Sequence, residues 1–222
     1  MKNILTTCLF LCLLLTVHAA DNPNVKKLFT VTSGELKLTF MVGTDDRLYQ
    51  LGFGDAAREV EPPAKMPSRE WEFLPPYGNG VLTEPAIQAT HVDGNTSTEL
   101  HYTGHRTEAL APGIEQTVIS LKDPAYPFSV DIYIKCYADN SMMEIWTTVT
   151  HNEKGKVILH RFASAAPVVK AKEYWLTQFS GNYKREATLN EERLSEGVKI
   201  LDSKLGIRAH QMRIPSFILS LN

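Results

Sequence analysis

The residues able to do chemistry are spread thinly along this sequence. Three of its seven histidines, His91, His101 and His105, lie in adjacent segments, and the last two are four positions apart. That spacing puts two side chains on one face of a helix. Here it spans the end of a strand-like stretch with Gly104 in between, so no metal site is expected, and no H-E-x-x-H pattern occurs. The one cysteine beyond residue 20, Cys136, falls on the apolar side of an alternating run and reads as a small buried hydrophobe. No G-x-S-x-G elbow, Walker loop or C-x-x-C pair occurs, and no cofactor is expected. Cleaving a glycosidic bond takes two carboxylates facing each other across the sugar. Spacing pairs none of the twenty-five acidic residues in this way, and Asp45-Asp46 reads as turn chemistry.

The aromatic residues say more. A pyranose packs its C–H face on an aromatic ring while its hydroxyls seek amides and charges, the mixed lining of a ligand groove. Trp71, Phe73 and Tyr77 lie where no strand periodicity explains them, and each reads as rim or as local packing. Tyr174, Trp175 and Tyr183 bracket the stretch LTQFSGNYKREA, residues 176–187. By its residues alone that stretch is either the turn and edge of a sheet or the rim of a sugar site. Trp146 alternates within a strand and is expected in the core or facing a sheet. Asn95-Thr96-Ser97 fits an N-glycosylation acceptor in a host that glycosylates its exported proteins.

The elements that must carry these residues are strands. Lys2, the apolar run Ile4 to Val17 and the small-residue pattern Val17-His18-Ala19 make residues 1–20 a secretory signal peptide, cut after Ala19 or Ala20. The run is shorter than the ~20 residues of a membrane span, and Cys8 and Cys12 lie inside it rather than at a lipidation point at its end. A secreted or periplasmic location follows as an expectation. The chain beyond keeps a single cysteine and so forms no internal disulfide. With 23 basic and 25 acidic residues it has no footprint for nucleic acid.

Residues 21–222 are expected to form one domain. Leu36, Leu38 and Phe40 alternate with Lys37 and Thr39 as a half-buried strand, and Ala56 to Pro85 reads as a long irregular excursion, the first place to look for a site. Strands follow at AIQATHV, TELHYTGH, GIEQTVISL, PFSVDIYIKCYAD, MMEIWTTVTHN and KVILHRFASAAPVV. Further strands are expected at 173–180, 197–204 and 213–221, and Thr188 to Leu194 is the only helical candidate, a turn or a single helical turn. Many short strands with polar turns between them imply an all-β, large antiparallel sandwich.

Four pieces in order, YGNGVLTEPA (77–86), YPFSVDIYIKCYADNSMMEIWTTVTHN (126–152), LTQFSGNYKREA (176–187) and SKLGIRAH (203–210), resemble the N-terminal domain of family 36 glycoside hydrolases, the bacterial α-galactosidase type. The similarity runs from about Leu28 to Asn222. It implies a β-supersandwich that precedes a (β/α)8 catalytic barrel, with the nucleophile and the acid/base aspartate both in that barrel. Nothing here resembles those segments. The resemblance therefore implies the non-catalytic front portion of a secreted α-galactosidase, supporting hydrolysis of terminal non-reducing α-D-galactose residues. The missing barrel and the α-galactoside are its partners, and the complete enzyme is a possible homo-oligomer. The alternative is a free-standing carbohydrate-binding or interaction module.

Loops of the family's sandwich reach the barrel mouth and help to hold the galactose. One carries an aspartate, an aromatic and an arginine after a Y-G-x-G run; the corresponding residues here are Val81, Leu82 and Thr83, so that carboxylate and its arginine are absent. Another carries an aromatic in a G-x-W-x-R-E pattern, which the resemblance carries onto Tyr183 as the sugar contact. Gly181, Arg185 and Glu186 would then support its loop.

Overall fold

The computed structural model describes residues 22–182, 185–202, 213–214 and 216–221. The signal-peptide reading of residues 1–20 lies outside them. Contacts divide the chain into two compact units, one ending at Val168 and one beginning at Val169.

The first unit is a sandwich of antiparallel meanders. Strands β1 (Val25–Ser33), β2 (Leu36–Gly43) and β3 (Leu48–Asp55) pair in sequence order. So do β5 (His101–Ala111), β6 (Ile114–Lys122), β7 (Phe128–Tyr137) and β8 (Met142–His151), whereas β4 (Ile87–Thr90) pairs with β9 (Ile158–Phe162). Period-2 sequence becomes period-2 burial most cleanly in β7. Phe128, Val130, Ile132, Ile134 and Cys136 point inward, and the residues between them are half-buried. They meet Val31, Leu38, Phe40, Val42 and Leu48 from the first sheet and Ile87 and Ala89 from β4 in one apolar cluster. Removing side chains of this size from water contributes about 1.5–3 kcal/mol each, which is what holds the sheets face to face.

Strand β2 departs from its expected half-burial. From Leu38 to Gly43 every residue is buried, Thr39 included. The strand lies between β1 and β3, and both of its faces are covered. A turn then locks the two meanders together. Ser33 Oγ donates to the Met142 carbonyl at 2.7 Å, and the Glu35 N–H donates to Ser141 Oγ at 2.9 Å. Gly34 between them has φ 55°, and a Cβ there would stand 2.3 Å from the Ala138 carbonyl oxygen. Only glycine fits that conformation and that closeness.

The excursion Ala56 to Pro85 is irregular as expected, apart from a 3-10 turn at Arg69–Trp71 opened by the Ser68 side chain. Its apolar residues Phe73 and Leu74 are core, and Phe73 meets the Phe40 ring edge-on at 5.0 Å.

The second unit is a three-stranded antiparallel sheet in the order β11 (Arg185–Arg193), β10 (Tyr174–Asn182), β12 (Phe217–Leu221). Two expectations are corrected here. Thr188 to Leu194 is no helical turn: all but its last residue lies in β11, in register with β10 from Trp175↔Arg193 to Ser180↔Thr188. Leu, Glu and Arg favour helix in isolation, but propensity is a weak prior that ladder pairing overrides. Residues 197–202 form no strand, and the rest of the stretch expected at 197–204 lies outside the described residues.

Candidate functional site

The excursion delivers a closed turn to the surface of the first unit. Its neck is tied by Tyr77 N–H to the Ile87 carbonyl at 2.8 Å and by Ala86 N–H to the Pro75 carbonyl at 2.7 Å. Thr98 N–H donates back to the Tyr77 carbonyl at 3.0 Å. Gly78 and Gly80 take φ 95° and 85°, and between them Asn79 folds inward and is buried. Asn79 Oδ1 accepts from Val81 N–H at 3.1 Å, and Arg69 Nη1 donates to the Asn79 carbonyl at 2.7 Å. The Asn79 Nδ2 is sealed from solvent without an acceptor. It is an unspent donor at the base of the turn, of the kind that costs free energy unless a partner arrives. Beyond it Leu82 stands fully in solvent, Thr83 is exposed, and Glu84 is ion-paired to Arg161. The turn thus carries no free carboxylate from Asn79 to Thr83. Of the excursion's aromatics, Phe73 is core, Trp71 is half-buried, and Tyr77 lines the turn at 44% exposure.

What aims this turn is a charge centre that sequence reasoning missed. Arg47 is 2% exposed, and its Nη1 lies 3.1 Å from Glu72 Oε1 and 3.3 Å from Oε2. Its Nη2 is 3.2 Å from Glu99 Oε2, and its Nε 3.8 Å from Asp45 Oδ2, which also accepts from the Tyr49 hydroxyl at 2.6 Å. The Phe73 N–H donates to the Leu48 carbonyl alongside, so backbone and charge together fasten the excursion to β3. Burial pushes the Glu72 carboxyl up to about 7, against the pull of Arg47 and Arg69. These acids surround a buried arginine rather than a cleft, and Glu72 is 3% exposed, so this gathering cannot flank a sugar as acid and nucleophile.

The three histidines part company. His91 is buried, with Nδ1 2.8 Å from Glu153 Oε1, Nε2 3.0 Å from Thr98 Oγ1, and the Tyr126 ring stacked at 3.7 Å. The order hydroxyl, imidazole, carboxylate is that of a nucleophile relay, but Thr98 is 0% exposed and the group serves as a pin. Burial pushes the Glu153 carboxyl up, yet hydrogen bonds from His91 and the Val92 N–H outweigh it and hold it below the usual range. His105 stacks on Phe29 at 4.0 Å, and His101 lies 3.2 Å from Glu99. Among the described residues no three metal-ligating side chains converge.

Of the LTQFSGNYKREA residues, Tyr183 lies outside the described residues, as does Lys184. The flanking strands are clear. Asn182 pairs with Arg185, Ser180 with Thr188, and two residues of β11 oppose Gly181. Ala187, one of those two, takes φ 53°, the left-handed conformation of a bulge. Gly181 is half-buried and Arg185 exposed, while Glu186 sits in β11 with its side chain outside the described residues.

The model of the glycosyl hydrolase family 36 N-terminal domain matches residues 40–220, across both units. The chain belongs to this family. α-Galactosidase C of Emericella nidulans is 24% identical over 167 residues, which cover 69% of this chain and 22% of that protein. The crystal structure of the family 36 α-galactosidase AgaB from Geobacillus stearothermophilus superposes with a TM-score of 0.78 at 20% identity, over 88% of this chain and 31% of that one. The α-galactosidase from Lactobacillus brevis superposes at 0.74 with 19% identity, over 86% of this chain and 30% of that one. The family 36 domain is thus only the smaller part of these larger enzymes. Among the described residues no helix is long and apolar enough to cross a membrane.

Proposed function

We propose that this chain is the non-catalytic N-terminal domain of a secreted or periplasmic α-galactosidase, supporting hydrolysis of terminal α-D-galactose residues by a (β/α)8 barrel. The observation that carries the reading is the family match from residue 40 to 220 on an all-β fold. The Arg47 centre agrees with a structural role, because Glu72, its closest partner, is buried with it.

The domain's part is to present loops to the sugar held by the barrel. The turn from Tyr77 to Pro85 offers an exposed aromatic and the Thr83 hydroxyl. Tyr183, the aromatic of the family's pattern, covers one face of the galactose, with Gly181, Arg185 and Glu186 supporting it. In a homo-oligomer of the complete enzyme these loops meet the barrel of a neighbouring copy. Without the family's aspartate and arginine at Val81 to Thr83, the choice among α-galactosides is broader.

The test is an assay of the purified chain, without its leader, on an activated aryl α-galactoside. No release above buffer is expected. Turnover that disappears when one carboxylate of this chain is substituted would overturn the reading.

A further inference from the structure

The outward face of the β5–β8 sheet carries an aromatic pair that no core needs. Tyr133 and Trp146 are directly opposed across β7 and β8, their rings parallel within 5° and 5.1 Å apart. Val118, in register with Tyr133 on β6, lies beside it on the same face and is 1% exposed. Strand β8 closes the sheet, and among the described residues no strand pairs with its far side. One face of Trp146 is therefore taken by Tyr133, and the half-buried indole turns its other face towards the unpaired side of β8, where Thr147 Oγ1 donates to the Ala163 carbonyl at 3.1 Å.

The polar groups around that open face are unspent. The Trp146 indole N–H meets no acceptor among the described residues, and it is not sealed from solvent, since Asn79 Nδ2 is the group among them that is both buried and unpaired. Glu144 and Thr148 lie two residues either side of Trp146 and share its face of the strand. That places them about 7 Å from it in each direction. Glu144 spends only Oε2, on the Tyr137 hydroxyl at 3.0 Å, and the Thr148 hydroxyl is free of protein partners among the described residues. Both residues are exposed.

A flat indole with its N–H open, a carboxylate on one side and a hydroxyl on the other is the mixed surface that suits a pyranose ring. We propose that Trp146, backed by Tyr133 and flanked by Glu144 and Thr148, forms a surface subsite for a single galactopyranosyl unit of a neutral polysaccharide. The ring lies on the open indole face, and hydroxyls at its rim bond to Glu144 Oε1, Thr148 Oγ1 and the indole N–H. Galactose suits the stack because its axial C4 hydroxyl leaves C3–H, C4–H and C5–H as one continuous apolar patch. The stacking site stands on the geometry, whereas the choice of galactose over other hexoses rests on the function proposed above. Such a subsite would keep the domain on its polymer between cleavage events.

Affinity electrophoresis of the purified chain through galactomannan and through hydroxyethylcellulose tests this. Galactomannan should retard the chain and the cellulose derivative should not. Trp146→Ala should raise the apparent Kd about tenfold, and Trp146→Phe should keep most of the binding. Thr148→Ala should weaken it several-fold, and Thr150→Ala, one step beyond the site, should leave it unchanged. Absent retardation, or retardation equal in folded Trp146→Ala, would overturn the subsite. Equal retardation in both polymers would overturn its choice of galactose. Should Trp146→Ala lose its β-sheet circular dichroism, Thr148→Ala decides, since it removes only an exposed hydroxyl. Failure of the function proposed above would read differently, as α-galactoside turnover by the chain alone that is lost with one of its own carboxylates, with retardation intact.

Discussion

Arg47 shows how much one residue can carry. It follows two aspartates in what the sequence presents as an ordinary turn, and nothing in the spacing points to Glu72 or Glu99 as partners. Buried at 2% exposure, it neutralises Glu72 and so fixes the root of the excursion. Arg47→Ala would strand that carboxylate in the interior, and a loss of about 3–5 kcal/mol in urea unfolding is expected. Glu72 also sets a pH dependence. Its carboxyl is raised from an ordinary value of 4.5 to about 7, chiefly by burial, so the folded chain holds this proton more tightly than the unfolded chain does. The stability this contributes is full below pH 4.5 and is lost as the pH rises towards about 7. Asp93, held low by the Asn95 N–H and the Tyr126 hydroxyl, acts in the opposite sense, adding stability that is lost on acidification. Glu72→Gln keeps a hydrogen-bond acceptor for Arg47 but cannot titrate. Urea midpoints taken on either side of the window from 4.5 to about 7 should therefore flatten in this variant. An unaltered slope would remove Glu72 from the pH response.

Among the elements, strands with clean alternation were readable and those formed by pairing were not. β7 announces itself because one face is core and the other wet. β2 looked half-buried because Lys37 and Thr39 interrupt its apolar residues, yet a central strand covered on both faces buries Thr39 as well. β11 has few apolar residues and helix-favouring ones, and only its ladder with β10 makes it a strand. The candidate site was half legible. The irregularity of the excursion followed from composition, but the buried Asn79 amide and the Arg69 clamp depend on folded backbone. Two substitutions test the turns that set these elements. Gly34→Ala combines a left-handed φ with a 2.3 Å approach to the Ala138 carbonyl. A loss of about 2–3 kcal/mol is expected on thermal or urea unfolding. Ala187→Gly relieves φ 53° at the β11 bulge and should gain up to about 1 kcal/mol by the same measurement. A loss on Ala187→Gly would mean that its methyl group matters more than its backbone.

At the scale of the whole molecule, a family match from residue 40 to 220 accompanies an all-β fold. The chain spans 31% of the AgaB chain it superposes on, and the function proposed above leaves catalysis to a barrel that works with this domain. An antibody raised against the purified chain can bring that partnership out of an extract of the source, whether the barrel is joined to the domain or associated with it. The captured material is offered an aryl α-galactoside beside an equal amount of the purified chain. Hydrolysis by the captured material, with none by the chain alone, is the result expected of a non-catalytic domain of an α-galactosidase. Captured material that contains the chain and leaves the α-galactoside intact would contradict it.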